Sequence, residues 1–300
     1  MPTRLVDHPI ITPQLDPSIG GNINGPSLVR VPPWLPSPLG RYYLYFAHHQ
    51  GKSIRLAYAD DLRGPWRIHA PGTLQLSQTR FPAHIASPDV HLDHDRRRVL
   101  MYYHGCCVDE PGLPNQVTCL ATSEDGLQFT SGTTALCGSY LRRFTWRGVD
   151  YGLVMPGRIY RFTAEDTPPE PGPNLADDFC FPTRFGGEGR KARHFAVRVV
   201  GDVLRVYFSR TGDAPEHLLR SDVALSDDWM TWRATPPVSV LRPERAWEGG
   251  DLPATPSRGG AIHEPACQLR DPAVFGEHGR VYLVYSVAGE SGLGIAEVEG

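Results

Sequence analysis

Histidine, arginine and aspartate recur in this chain where short apolar runs begin or end. His48-His49 follow Tyr42 to Ala47, His104 follows Val99 to Tyr103, and Ser209-Arg210 follow Val203 to Phe208. Ahead of other runs stand Asn24-Gly25-Pro26-Ser27, His84 with Ala86-Ser87-Pro88-Asp89, Ser139-Tyr140-Leu141-Arg142, Arg193-His194 and Arg270-Asp271-Pro272. An imidazole titrates at about 6.5, so a neighbouring carboxylate readily poises it to give or take a proton at neutral pH. Arg142, Arg193, Arg210 and Arg270 are suited to an anionic group such as a carboxylate or sulfate. Each also has an ordinary structural use: aspartate beside proline caps turns, and arginine bridges neighbouring sheets.

The elements that would position these groups repeat one phrase. Tyr42 to His48, Val99 to His104, Val203 to Ser209 and Val281 to Ser286 are β-branched and aromatic runs, each with an apolar strand before it and a third after it. A weaker copy runs through Tyr140 to Phe144, Tyr151 to Met155 and Arg158 to Phe162, making five units of roughly 50 residues. Strand triplets at this spacing, with almost no helical period, predict an all-β, five-bladed β-propeller; a sandwich of equal strand number needs no such repeat. The expected blades are about 24–70, 84–131, 136–180, 190–235 and 268–300, in a single domain spanning 1–300. The last unit ends after its third strand at Val298, so Thr3 to Ile11 is expected to supply the fourth.

In each blade the innermost strand leaves one mouth of the channel and the second returns to it. Strand starts and second-strand ends therefore share a mouth, which makes that mouth the expected ligand site.

Composition narrows the partners. Lys+Arg 30 against Asp+Glu 33 offers no basic face for nucleic acid, and no apolar run is long enough to span a bilayer. The start lacks the basic and apolar regions of a secretory signal, and the six cysteines show no CxxC pair, so reduced thiols in a cytoplasmic protein are expected. Thr167 to Pro173 reads as a rigid surface loop.

Gly25 to Trp66, Ala86 to Gly105 and Arg270 to Ser286 together resemble the five-bladed propeller glycosidases of glycoside hydrolase family 43 and its relatives in families 32, 62, 68, 117 and 130. The resemblance implies a base aspartate at the first inner strand, a second aspartate in a WAPDV-like motif, and a glutamate acid in a later blade. Asp89, in Ser87-Pro88-Asp89-Val90, matches the second. The first position reads Asn24-Gly25-Pro26, and the glutamate region reads Cys137-Gly138-Ser139-Tyr140. Asp271, in an RDP setting like that of family 32, and Glu248, Asp251 and Glu264 are the substitute carboxylates; family 117 implies a histidine acid.

The expected function is a glycoside hydrolase acting on a small oligosaccharide, neutral or anionic. Asp89, Asp271, His48, His49 and His104 are the catalytic candidates. Asn24, His84, Tyr140, Arg142, His194, Arg210, Glu248 and Arg270 are the substrate-binding candidates, with Tyr140 and Trp247 as stacking platforms. No cofactor is required, although His194 could meet a channel-bound calcium or other metal ion. A phosphorylase, a uronate lyase and a non-catalytic carbohydrate-binding propeller remain alternatives on the same fold.

Overall fold

The computed structural model describes residues 2–107, 114–180 and 190–299, so the first and last residues of the expected domain lie outside it. Its strands form five antiparallel sheets, the blades of a β-propeller. Blade I comprises Asn24–Arg30, Tyr42–Ala47, Ser53–Ala59 and Arg67–Gln75, so its outer strand runs past the expected end near residue 70. Blade II has Ile85–Asp93, Arg98–Cys106 and Gln116–Ser123, with Thr130–Ser131 and Cys137–Gly138 on its outer edge. Blade III has Arg142–Trp146, Val149–Val154, Arg158–Phe162 and Glu170–Asn174, and blade IV has Lys191–Val200, Val203–Thr211, Leu218–Ala224 and Val238–Leu241. Blade V has Arg270–Glu277, Arg280–Val287 and Gly292–Val298.

Period-two alternation explains the packing. In Tyr42–Ala47, Tyr42, Leu44 and Phe46 point into the cluster shared with blade V, while Tyr43 and Tyr45 point into the one shared with blade II. Because a blade is covered on both sides, all six residues of that strand are buried. Five such apolar clusters fill the five interfaces between neighbouring blades.

The Pro-rich stretch expected as a loop is instead partly strand. Glu170–Asn174 pairs with Arg158–Phe162, and its prolines are tolerated because an outer strand leaves one row of backbone donors unused. Trp229 covers Gly172, where a Cβ would lie 2.1 Å from the indole.

Blade V closes with the chain's beginning: Thr3 and Arg4 pair with Glu297 and Ala296, and Ile11 bridges Leu293. Arg4 locks this seam by donating to Glu248 from Nε at 3.0 Å and from Nη2 at 2.9 Å. Glu248 is fully buried and also accepts from the Tyr285 hydroxyl at 2.9 Å. Removing one partner of a buried ion pair costs about 3–5 kcal/mol. Arg4→Ala should therefore lower the melting temperature by on the order of 10 °C in a calorimetric scan, and an unchanged midpoint would show that the seam is not held here.

One irregularity is repeated in every blade. Each inner strand spends three steps where its partner spends two: Asn24 to Ser27 against Ala47 to Tyr45, Ala86 to Asp89 against His104 to Tyr102, Arg193 to Ala196 against Ser209 to Tyr207, and Arg270 to Ala273 against Ser286 to Val284. Blade III matches, with the Met155 amide donating to the Ser139 carbonyl and Arg142 facing Leu153. The second residue of each bulge is left-handed: Gly25 (φ 55°), Ser87 (50°), Tyr140 (59°), His194 (58°) and Asp271 (47°). Four of these are not glycine, and bulges of this kind re-aim side chains at functional sites.

Candidate active site

The left-handed residues make a ring around the mouth. Asp271 Oδ1 stands 3.2 Å from His194 Nδ1. The Tyr140 ring lies 4.9 Å from that of His194 and 4.5 Å from that of His104, and its hydroxyl hydrogen-bonds Ser87. Gly25 completes the ring without a side chain, because a Cβ there would meet Ser87 Cα at 3.0 Å and Oγ at 3.1 Å. This crowding is a physical reason why blade I has no carboxylate at that point.

A cavity of about 870 Å³ opens over the ring, lined by His49, Tyr140, Arg193 and His194, with Gln116, Lys191 and Arg258 further out. Behind two of these residues stand buried carboxylates. Asp271 backs His194, and Glu290 backs His49 with Oε1 3.5 Å from Nδ1. Glu290 also accepts from Asn22 Nδ2 at 2.6 Å and Arg270 Nη1 at 3.1 Å.

The two carboxyl groups are driven apart in proton affinity. Burial, followed by the negative charge of Glu290, pushes Asp271 up to about 7 against the pull of Arg193 and Arg270. Burial alone would raise Glu290 too, but hydrogen bonds and charge from His49, then Asn22 and Arg270, hold it below the usual carboxylate range. Burial, followed by the nearby arginines, lowers His194 well below an ordinary imidazole, while His104 is lowered by burial and then by His84 and Arg142. With the His194 imidazole pressed to its neutral form and Asp271 raised, the proton that the pair holds near neutrality sits on the Asp271 carboxyl.

The structure thus brings His49, His104, Tyr140, His194, Arg270 and Asp271 together around this mouth, with half-buried His84 edge-on to His104 at 6.3 Å. Other candidates are engaged elsewhere. Asp89 lies two residues further along its inner strand, in a separate channel cavity of about 190 Å³ with Arg142 and Ser27. It accepts from His91 at 2.8 Å and from the Arg143 amide at 2.8 Å; burial raises its pKa, but His91 and Arg142 outweigh that and lower it. Arg142 donates to the carbonyls of Phe195, Ser87, Pro88 and Leu141, tying bulges together. Arg210 pairs with Asp213 at 3.1 Å, Arg193 with Glu216 at 2.6 Å, and Arg270 with Glu290 and Gln268, so no guanidinium of this group is left for an anion.

Asn24 is buried and donates to Asn22, and His48 meets the His49 carbonyl. Glu248 serves the Arg4 seam, and Trp247 packs against blade V near Gly294, where a Cβ would be 3.0 Å away. Asp251 and Glu264 are exposed. Glu290, Glu216 and Asn22 were not singled out from the sequence. Their signal was position: Glu216 and Glu290 sit in the hairpins that follow the second strands, which belong to the same mouth. Among the described residues no group of three or more His, Cys, Asp and Glu side chains converges as a metal ion would require, and His194 Nδ1 is turned to Asp271.

In fold the chain is similar to solved family-43 glycoside hydrolases. An endo-1,4-β-xylanase from Bacteroides thetaiotaomicron superposes with a TM-score of 0.64 at 12% identity, covering 98% of this chain and 92% of the other. A family-43 β-xylosidase/α-arabinofuranosidase from a compost microbial metagenome, in complex with xylotriose, gives 0.61 at 10% identity, covering 99% and 95%. An α-L-arabinanase from Cellvibrio cellulosa complexed with arabinohexaose gives 0.57 at 13%, covering 92% and 91%. No sequence-family profile matches the chain. In sequence it is 40% identical over 298 residues to the uncharacterized protein R118 of Acanthamoeba polyphaga mimivirus, covering 91% of this chain and 82% of that protein. The chain belongs to the same family as R118.

Proposed function

We propose that the protein is a glycoside hydrolase acting on a small oligosaccharide. The observation that carries this reading is the pair of carboxylate-backed imidazoles on one cavity, His194 with Asp271 and His49 with Glu290, one pair protonated and the other carrying an ionised carboxylate. Carboxyl groups pushed apart in proton affinity divide into acid and base roles. The fold shared with enzymes solved with xylotriose and arabinohexaose supports the class of substrate. A cavity of about 870 Å³ also suits a few sugar rings.

In this mechanism the glycosidic C–O bond breaks as its oxygen takes the proton held by the His194–Asp271 pair. A water attacks the anomeric carbon and gives its proton to the His49–Glu290 pair, and exchange with solvent resets both pairs. Tyr140 supports His194 by ring contact and keeps its orientation. The six cysteines are free, which suits a reducing compartment such as the cytoplasm. No described helix is long and apolar enough to cross a membrane.

One observation favours a second reading. Lys191 and Arg258 line the outer cavity with no side-chain partner among the described residues, and could hold the phosphate of a phosphorolytic reaction. The test is a panel of aryl glycosides and oligosaccharides assayed with and without inorganic phosphate, with absorbance followed for an unsaturated uronate. Phosphate-independent release of reducing sugar is the expected result. A phosphate-dependent sugar phosphate would establish the second reading, an unsaturated product would establish a lyase, and binding without turnover would leave a carbohydrate-binding propeller.

A further inference from the structure

Glu216 does not line the cavity, yet it is fully buried and bonded at every turn. It occupies in blade IV the hairpin place that Glu290 occupies in blade V. Each glutamate meets the arginine that opens the bulge of its own blade: Arg193 donates to Glu216 from Nε at 2.9 Å and Nη2 at 2.6 Å, and Arg270 reaches Glu290 at 3.1 Å. The two units are joined, because Arg270 Nε is also 3.5 Å from Glu216. Arg193, Glu216, Arg270 and Glu290 thus form a chain of alternating charge across blades IV and V, which ends at His49 of blade I.

His194 and Asp271 are the residues next to the two arginines. Asp271 Oδ2 is buried and has no hydrogen-bond partner, although two guanidiniums stand on adjoining backbone. An ionised carboxylate in that position would draw them in. What occupies them instead is the pair of glutamates.

We propose that Glu216 is a positioning residue: it keeps the guanidiniums of Arg193 and Arg270 engaged, so that neither turns to Asp271 and the His194–Asp271 pair keeps its proton. Only the kinetic consequence rests on the acid role proposed above. The groups that face Asp271 are His194 and Arg193 from blade IV, Tyr140 from blade III, Arg270 and Glu290 from blade V, and His49 from blade I. Of the charged groups among them, Arg193 and Arg270 are the two that Glu216 touches.

The test follows melting temperature from pH 4 to 9 for the full chain and for Glu216→Gln, each measured against the same protein carrying Asp271→Asn. That difference isolates one titrating group: it grows as pH rises above the unfolded value and levels off at the midpoint of Asp271's titration in the folded protein, expected near the value of about 7 given by its surroundings. In Glu216→Gln the midpoint should fall by about 1 pH unit or more as the freed guanidiniums turn to Asp271. If Glu216→Gln does not fold, Glu216→Asp keeps the charge but withdraws its reach, and its midpoint should fall as well. An unchanged midpoint in a folded variant, with only a uniform loss of stability, overturns the proposal. No substrate enters this measurement, so the outcome holds whether or not glycosidase activity is found; where activity is found, the alkaline limb of the rate should move with the midpoint.

Discussion

Replacing Asp271 by asparagine should abolish most turnover and at the same time make the protein more stable at neutral pH. The loss follows from the proton: asparagine cannot supply one to a leaving oxygen, and a positioned acid contributes about 10²- to 10⁴-fold in rate. The gain follows from linkage. Asp271 is raised from 3.8 to about 7 by burial and by Glu290, so the folded protein holds a proton there that the unfolded chain has released. Stability therefore falls as pH rises from the unfolded value through the folded one, and above about 7 the whole cost is present. A displacement from 3.8 to about 7 corresponds to roughly 4 kcal/mol, an upper figure for a group coupled to its neighbours. Asparagine removes that cost while keeping the shape and the tolerance for left-handed backbone that φ 47° requires. The variant should melt several degrees above wild type at pH 8 and close to it at pH 4. Wild-type turnover, or a lower melting temperature at pH 8, would remove Asp271 from the acid role.

Glu290→Gln should be equally inactive but destabilised. Its carboxylate is held ionised by His49, Asn22 and Arg270, so it contributes stability above the ordinary glutamate range, and that stability is lost as pH falls through the lowered value. Glutamine keeps the shape but leaves Arg270 with Glu216 at 3.5 Å as its remaining carboxylate, beside Gln268 at 2.8 Å, and deprives His49 of its carboxylate. Removing one partner of a buried ion pair costs about 3–5 kcal/mol, which should appear as a lower denaturation midpoint at pH 7. The rate should fall about 10²-fold or more if the His49–Glu290 pair takes the proton of water. The contrast is diagnostic: two inactive variants whose stabilities move in opposite directions. If both were destabilised alike, the opposed protonation of the two carboxyl groups would be refuted.

Both effects originate in the repeated bulge. Five blades place a left-handed residue at the same point, but among the described residues only blades IV and V back it with an arginine-glutamate support. Placing His194 in one and Asp271 in the other turns two similar units into a chemically unequal pair.

Much of this could be read along the chain. Alternating apolar residues in Tyr42–Ala47 and its copies are a local property, as is the order of inner, second and third strands, so the five-bladed fold and the shared mouth followed from sequence. Arg193-His194 and Arg270-Asp271 were visible because charged residues at the start of core strands are out of place there. Glu216 and Glu290 were not, because a glutamate in a hairpin looks the same whether water or a buried guanidinium awaits it. Glu216 finds its first partner 23 residues away, and Glu290 meets Asn22 across 268. Only closure of the ring brings these groups together. The separation of Asp89 from the mouth has the same origin: a one-residue bulge and two further steps along the strand decide which cavity a side chain enters. Motif spacing carries no record of that depth. Residue order determined the blades and the mouth, whereas burial, created only when the blades pack, determined which carboxyl group keeps its proton.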